Sequence, residues 1–206
     1  MLTSRAGLLT KIAALCTIRK RETAFRLVEQ ALREKAFPRR FFSELFIHLS
    51  LFLGYPAMLD GLERLAAITR RKAAGGTVSR GKKGIAKKGN VILRRIYGDQ
   101  ASKLIFHLDQ LEEGLGTRIA ADAYGAIMSR RGLTLADREI VNVAILFIDG
   151  FERQLYSHVR GALRVGVSPR TLKSVLVLAS RISGKNALSA IMLLRGVVNT
   201  QRSGPL

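Results

Sequence analysis

Hydrophobic residues recur along this chain at spacings of three and four, in short blocks set off by glycine, proline or polar runs. That is the repeat of a helix with one apolar face. It predicts helices over residues 3–16, 22–35, 38–53 and 57–70, and then over 91–113, 117–130, 135–149, 152–165, 169–182 and 185–199. The punctuation agrees. Pro38 and Pro169 suit the first turn of a helix, where a missing N–H costs nothing. Ser168 is a good N-cap, and Thr134 with Asp137 reads as a capping box. Strand signals are weak: strict alternation is rare, and no Asn-Gly or Asp-Gly turn separates two β-rich runs. The expected fold is all-α.

The two groups of helices read as a degenerate repeat. Ala13, Leu15, Ala31, Leu32 and Pro38 recur as Ala144, Leu146, Ala162, Leu163 and Pro169, each 131 residues later, and Gly54 recurs as Gly184 with a one-residue slip. The pattern divides the chain into a partial first unit at 1–68, a basic linker at 69–90, a fuller second unit at 91–200 and a tail at 201–206. The linker is rich in Gly and Lys, and no acidic residue interrupts from Thr69 to Ile96. Like charges extend such a segment, and clustered glycine opposes order. Its Gly84–Gly89 stretch lacks the Gly-Lys-Ser/Thr ending of a phosphate-binding loop.

Charge changes the picture next. With 35 Lys and Arg against 15 Asp and Glu, the formal charge is +20. A field of that sign attracts nucleic acid, acidic membranes and small anions alike, without choosing among them. Lys82, Lys83, Lys87 and Lys88 are the linker residues placed to meet phosphates. No aromatics interleave with them, so stacking on single strands is not encoded there. Cys16 is the single cysteine, which rules out an intramolecular disulfide. The residue before it, Leu15, departs from a lipoprotein signal. Residues 41–59 are apolar enough to raise the question of a membrane helix, but Glu44, His48 and Pro56 fall inside them. The expectation is a core helix, no membrane span and a cytoplasmic protein.

The candidate chemistry begins with Glu139 and His158, on adjacent helical segments joined at Gly150. At 1.5 Å per residue, Glu139 lies roughly 16 Å before the turn and His158 roughly 12 Å after it. An antiparallel hairpin brings them to similar heights, and a carboxylate beside an imidazole is a common acid–base arrangement. Both residues also suit a plain structural role on half-buried helices. Glu44 and His48, four apart, share another helix face. Three scattered histidines and one cysteine supply no familiar zinc spacing, and no cofactor is expected.

Around the pair lie Asp122-Ala-Tyr-Gly-Ala-Ile-Met-Ser-Arg-Arg-Gly-Leu133, Asp137-Arg-Glu139, His158-Val-Arg-Gly-Ala-Leu163 and Gly166-Val-Ser168. In that order and spacing they resemble the carboxymuconolactone decarboxylase family of the alkylhydroperoxidase-D-like superfamily. Glu44-Leu-Phe-Ile-His48 followed by Gly54-Tyr-Pro-Ala57 resembles the end of the same domain. The resemblance implies two tandem units of that helical fold, one degenerate. Leu8 and Leu27 fall where Glu139 and His158 would recur, and Val175 and Ala179 fall where Glu44 and His48 would, so the signature is divided between the halves. It implies a cofactor-free decarboxylase-like protein acting on a small anionic, carboxylated or lactone substrate. His158 would handle a proton and Glu139 would orient it. Arg130, Glu44 and His48 would bind substrate, although Arg131 stands where the family often has Pro. Thiol peroxidases of the superfamily carry two cysteines between the Glu and the His. Phe151 and Gln154 hold those places here, which disfavours disulfide chemistry. The resemblance also implies a homo-oligomer, a trimer or a hexamer-like assembly. The alternative is a non-catalytic scaffold, or a module that binds anions or nucleic acid through the basic linker.

Overall fold

Thr134 opens the helix that carries Glu139. Its hydroxyl accepts the Asp137 N–H at 3.1 Å, and the Asp137 carboxylate accepts the Thr134 N–H at 2.8 Å, so two otherwise orphaned donors are satisfied reciprocally. The computed structural model describes residues 4–70 and 84–202. Among them every regular element is helical: α1 (Arg5–Thr17), α2 (Arg21–Arg33), α3 (Arg39–Ile68), α4 (Ile85–Tyr97), α5 (Gln100–Leu111), α6 (Leu115–Ile119), a π-helical segment (Ala120–Met128), α7 (Leu135–Asp149), α8 (Glu152–Arg164), α9 (Pro169–Ser183) and α10 (Leu188–Arg202). The all-α expectation holds.

Three boundaries differ from the sequence reading. The single helix expected over 91–113 is two, α4 and α5, because Gly98 turns the chain with φ 58°. The helix expected over 117–130 begins as α6 and widens into a π-helix, whose last bond runs from the Ser129 N–H to the Tyr124 carbonyl, five residues back. Residues 85–90, read as linker, are the first turns of α4. Gly89 there is a contact residue: a Cβ would strike the Ala120 carbonyl oxygen, and a Cβ on Gly125 would strike the Ile85 carbonyl oxygen. Small residues let α4 and the π-helical segment touch backbone to backbone. The remaining linker lysines, Lys82 and Lys83 among them, lie outside the described residues.

The chain forms two compact units. One comprises residues 1–38 and 134–206, the other 39–133, so the first two helices pack with the C-terminal ones. In the first unit α1 packs on α7, α9 and α2, while α7 also meets α8 and α9, and α10 covers α8 and α9. From Asp137 to Ile148 every residue of α7 is buried, which makes it the central rod. Its apolar circumference is filled by Ile140, Val141, Val143, Ala144 and Ile145, all from the expected segment.

In the second unit α4 lies along the π-helical segment, α5 packs on α6 and α4, and α3 meets the π-helical segment. Helix α3 is broken at Gly54, with φ 74° and ψ 175°, just ahead of Pro56. That break separates the segments expected over 38–53 and 57–70. Helix α3 is the one described helix long and apolar enough, by length and composition, to cross a membrane. Glu44 nevertheless lies within it, buried and ion-paired.

Candidate active site

The α7–α8 hairpin positions the pair. Gly150 caps α7 in the left-handed conformation, φ 80°, and both its N–H and that of Phe151 bond back to the Leu146 carbonyl. A side chain would strain that φ, so glycine is what lets the chain reverse here. Helix α8 then returns along α7, and His158 Nδ1 lies 2.8 Å from Glu139 Oε2. The Glu139 side chain is fully buried, whereas His158 keeps 14% of its side chain exposed. One partner is thus held inside and the other reaches solvent.

Asn142, three residues after Glu139, completes the group. Its Nδ2 donates to Glu139 Oε1 at 3.2 Å and lies 3.2 Å from His158 Nδ1. Nδ1 has one in-plane direction to use. When that direction carries an N–H to the carboxylate, the Asn142 amide donates to Glu139 rather than to the ring. Nε2 is the second ring nitrogen, on the side of the ring away from the carboxylate. The sequence reading missed Asn142, although its spacing from Glu139 puts both on one helix face. Arg138, fully buried next to Glu139 in sequence, was missed as well.

Asp137 anchors the start of the same helix. Burial pushes its carboxyl up, but hydrogen bonds from Arg5 and Thr134 outweigh burial and hold it below the usual carboxylate value. Arg5 is correspondingly raised, first by its hydrogen bond to Asp137.

The other expected site residues lie in the second unit. Arg130 grips Glu44 in a bidentate pair, Nε to Oε2 at 2.9 Å and Nη2 to Oε1 at 2.8 Å. The hydrogen bond to Glu44 raises the Arg130 pKa against a smaller opposing effect of burial. The fork that a substrate carboxylate would take is therefore engaged by Glu44. His48 is fully buried, edge-on to Phe52 at 6.4 Å between ring centroids. Cys16 is buried on α1, and Phe151 and Gln154 stand exposed at the start of α8, where the peroxidase cysteines would be. Among the described residues no three His, Cys, Asp or Glu side chains gather where they could hold a metal ion.

Residues 117–194 match the carboxymuconolactone decarboxylase family. The matched span holds Arg130, Glu139, Asn142 and His158, while Glu44 and His48 fall outside it. A 4-carboxymuconolactone decarboxylase from Acinetobacter baylyi is 27% identical over 107 residues, covering 52% of this chain and 80% of that enzyme. The likeness supports the family for this region of the chain.

Proposed function

We propose that the chain is a carboxymuconolactone-decarboxylase-like enzyme that performs cofactor-free proton transfer or decarboxylation on a small carboxylated or lactone substrate. The observation that carries this reading is the 2.8 Å contact between His158 Nδ1 and the buried Glu139 carboxylate. In decarboxylation the C–C bond to the carboxylate breaks, CO₂ leaves, and the electron pair passes into the conjugated carbonyl as an enolate. The His158 imidazolium then gives its Nε2 proton to the carbanion carbon and is reprotonated from solvent. Glu139 stabilises the imidazolium and fixes the ring. Arg130, Glu44 and His48, all in the other unit, are proposed as anion-binding residues within that unit, where a carboxylate would exchange with Glu44 on the guanidinium. Purified protein assayed against a panel of carboxylated lactones tests the reading. His158→Gln should keep the fold and lose about 10²–10⁴-fold in rate. Unchanged activity per folded molecule would remove His158 from the chemistry.

The tandem arrangement belongs to the same proposal. At an offset of 131, α2 (Arg21–Arg33) and α8 (Glu152–Arg164) have the same bounds. The left-handed residues Arg19 and Lys35 also take the places of Gly150 and Gly166. Both observations support two copies of one helical unit; a cytoplasmic homo-oligomer is part of the same proposal.

One observation favours the non-catalytic, polyanion-binding alternative. Lys87, Lys88, Arg94 and Arg95 are all exposed on α4, continuing the basic run. A salt titration of duplex binding decides between the two readings, since each neutralised phosphate steepens the salt dependence. A deletion meant to spare the fold must stop at residue 83, ahead of α4.

A further inference from the structure

We infer that the first unit carries a second ligand site, a cavity between α1 and α9 that takes a small organic anion with a short apolar body. The cavity measures about 520 Å³ and is bordered by Leu8 and Lys11 from α1 and by Arg170, Ser174, Val175 and Leu178 from α9. Leu8 and Val175 are buried and make an apolar base, whereas Lys11 is half-buried and Arg170 exposed. No acidic side chain is among those bordering it. Neither cation pairs with a carboxylate among the described residues.

Register says what this place is. Counting 131 residues on, Leu8 corresponds to Glu139, Lys11 to Asn142, and Val175 stands where Glu44 would recur. The buried carboxylate has become leucine, and the amide that steadies it has become an ammonium. Such a site has lost acid–base chemistry and gained a fixed positive charge over apolar surface. An apolar tail on the base with an anionic head at the rim, whether carboxylate or phosphate monoester, satisfies both parts. The register argument rests on the repeat proposed above; the cavity and its two cations do not.

The test is calorimetric titration of the full chain with hexanoate, hexyl phosphate and, as a neutral control, 1-hexanol. One anion should bind per chain, and 1-hexanol should bind at least about threefold more weakly. Lys11→Gln and Arg170→Gln should each weaken the anion by about threefold or more. Ser174→Trp, at an exposed rim position, should abolish binding with an unchanged circular-dichroism spectrum. His158→Gln should leave binding as it is. Whichever anionic head binds more tightly names the source. Absence of heat with both anions at about millimolar concentration, or equal affinity in Lys11→Gln and Arg170→Gln, overturns the site. Binding lost in His158→Gln but kept in those two variants places the anion at the Glu139–His158 pair. That overturns this inference and leaves the proposed active site standing.

Discussion

Arg5 donates Nε–H and Nη2–H to the two carboxylate oxygens of Asp137, each at 2.7 Å, across 132 residues of sequence. The first helix is thereby forked onto the capping box of α7, two residues before Glu139. Lowering of the Asp137 pKa makes this contact a source of pH-dependent stability. The sign follows from the direction: the ionised form favours the fold above the ordinary carboxylate value, and its contribution disappears as pH falls through the lowered folded value. Asp137→Asn should therefore cost about 1–3 kcal/mol at neutral pH, and the gap to the parent should close as pH falls through the lowered folded value. Arg5 is 44% exposed, so Arg5→Ala should cost less, about 1 kcal/mol. Urea denaturation at several pH values measures both.

Asn142 is a positioning residue for Glu139. Asn142→Ala removes a donor from a fully buried carboxylate and should cost about 1–2 kcal/mol in stability. If the proposed chemistry is right, kcat should fall by about tenfold with KM little changed, since the interaction orients the acid–base pair. Equal loss of stability with unchanged kcat would make Asn142 purely structural. Steady-state kinetics on the folded variant separates the two.

Arg130→Ala removes the bidentate partner of the Glu44 carboxylate, whose side chain is only 4% exposed. The fold should lose about 1–3 kcal/mol, a discounted value because Arg130 itself is 43% exposed. Arg130→Lys should recover only part of this, because an ammonium cannot reproduce the fork. A rise in KM beyond the stability effect would mark Arg130 as a substrate contact; guanidinium denaturation and kinetics together give the answer.

Two glycines make a paired test. Gly89→Ala drives a methyl into the Ala120 carbonyl and should destabilise by about 1–3 kcal/mol, or more. Gly196→Ala meets nothing within 4 Å in α10 and should stabilise by about 0.5–1 kcal/mol. Thermal melts of both variants check the α4 contact against a helix-propensity control.

Self-association has a visible candidate face. Leu188 and Met192, four apart on α10, are each 61% exposed. Light scattering of the parent should find an oligomer, and Leu188→Lys with Met192→Lys should lower its mass. A parent that stays monomeric at micromolar concentration contradicts the expected assembly.

Much of this was written locally. The capping box at Thr134, the N-cap at Ser168 and the turn at Gly150 depend on atoms within a few residues, so α7, α8 and α9 began where the sequence placed them. The Glu139–His158 contact was legible for the same reason, because two helices joined by a tight turn have one natural register. Gly98 was less legible, since a lone glycine inside an apolar pattern is tolerated in many helices and ends only some.

Contacts between distant segments were another matter. Nothing near Gly89 announces that its missing side chain makes room for the Ala120 carbonyl, so a contact residue read as flexible linker. Nothing near Arg5 announces Asp137, and nothing near Arg130 announces that Glu44 will take its fork. Helical periodicity specifies which face of a segment is apolar, but it is silent on which segment covers that face. The sequence by itself determined the helical class, the starts of α7, α8 and α9 and the Glu139–His158 proximity across one hairpin. Only the tertiary structure decided that the first two helices pack against the last four, because burial selects partners by shape across the whole chain.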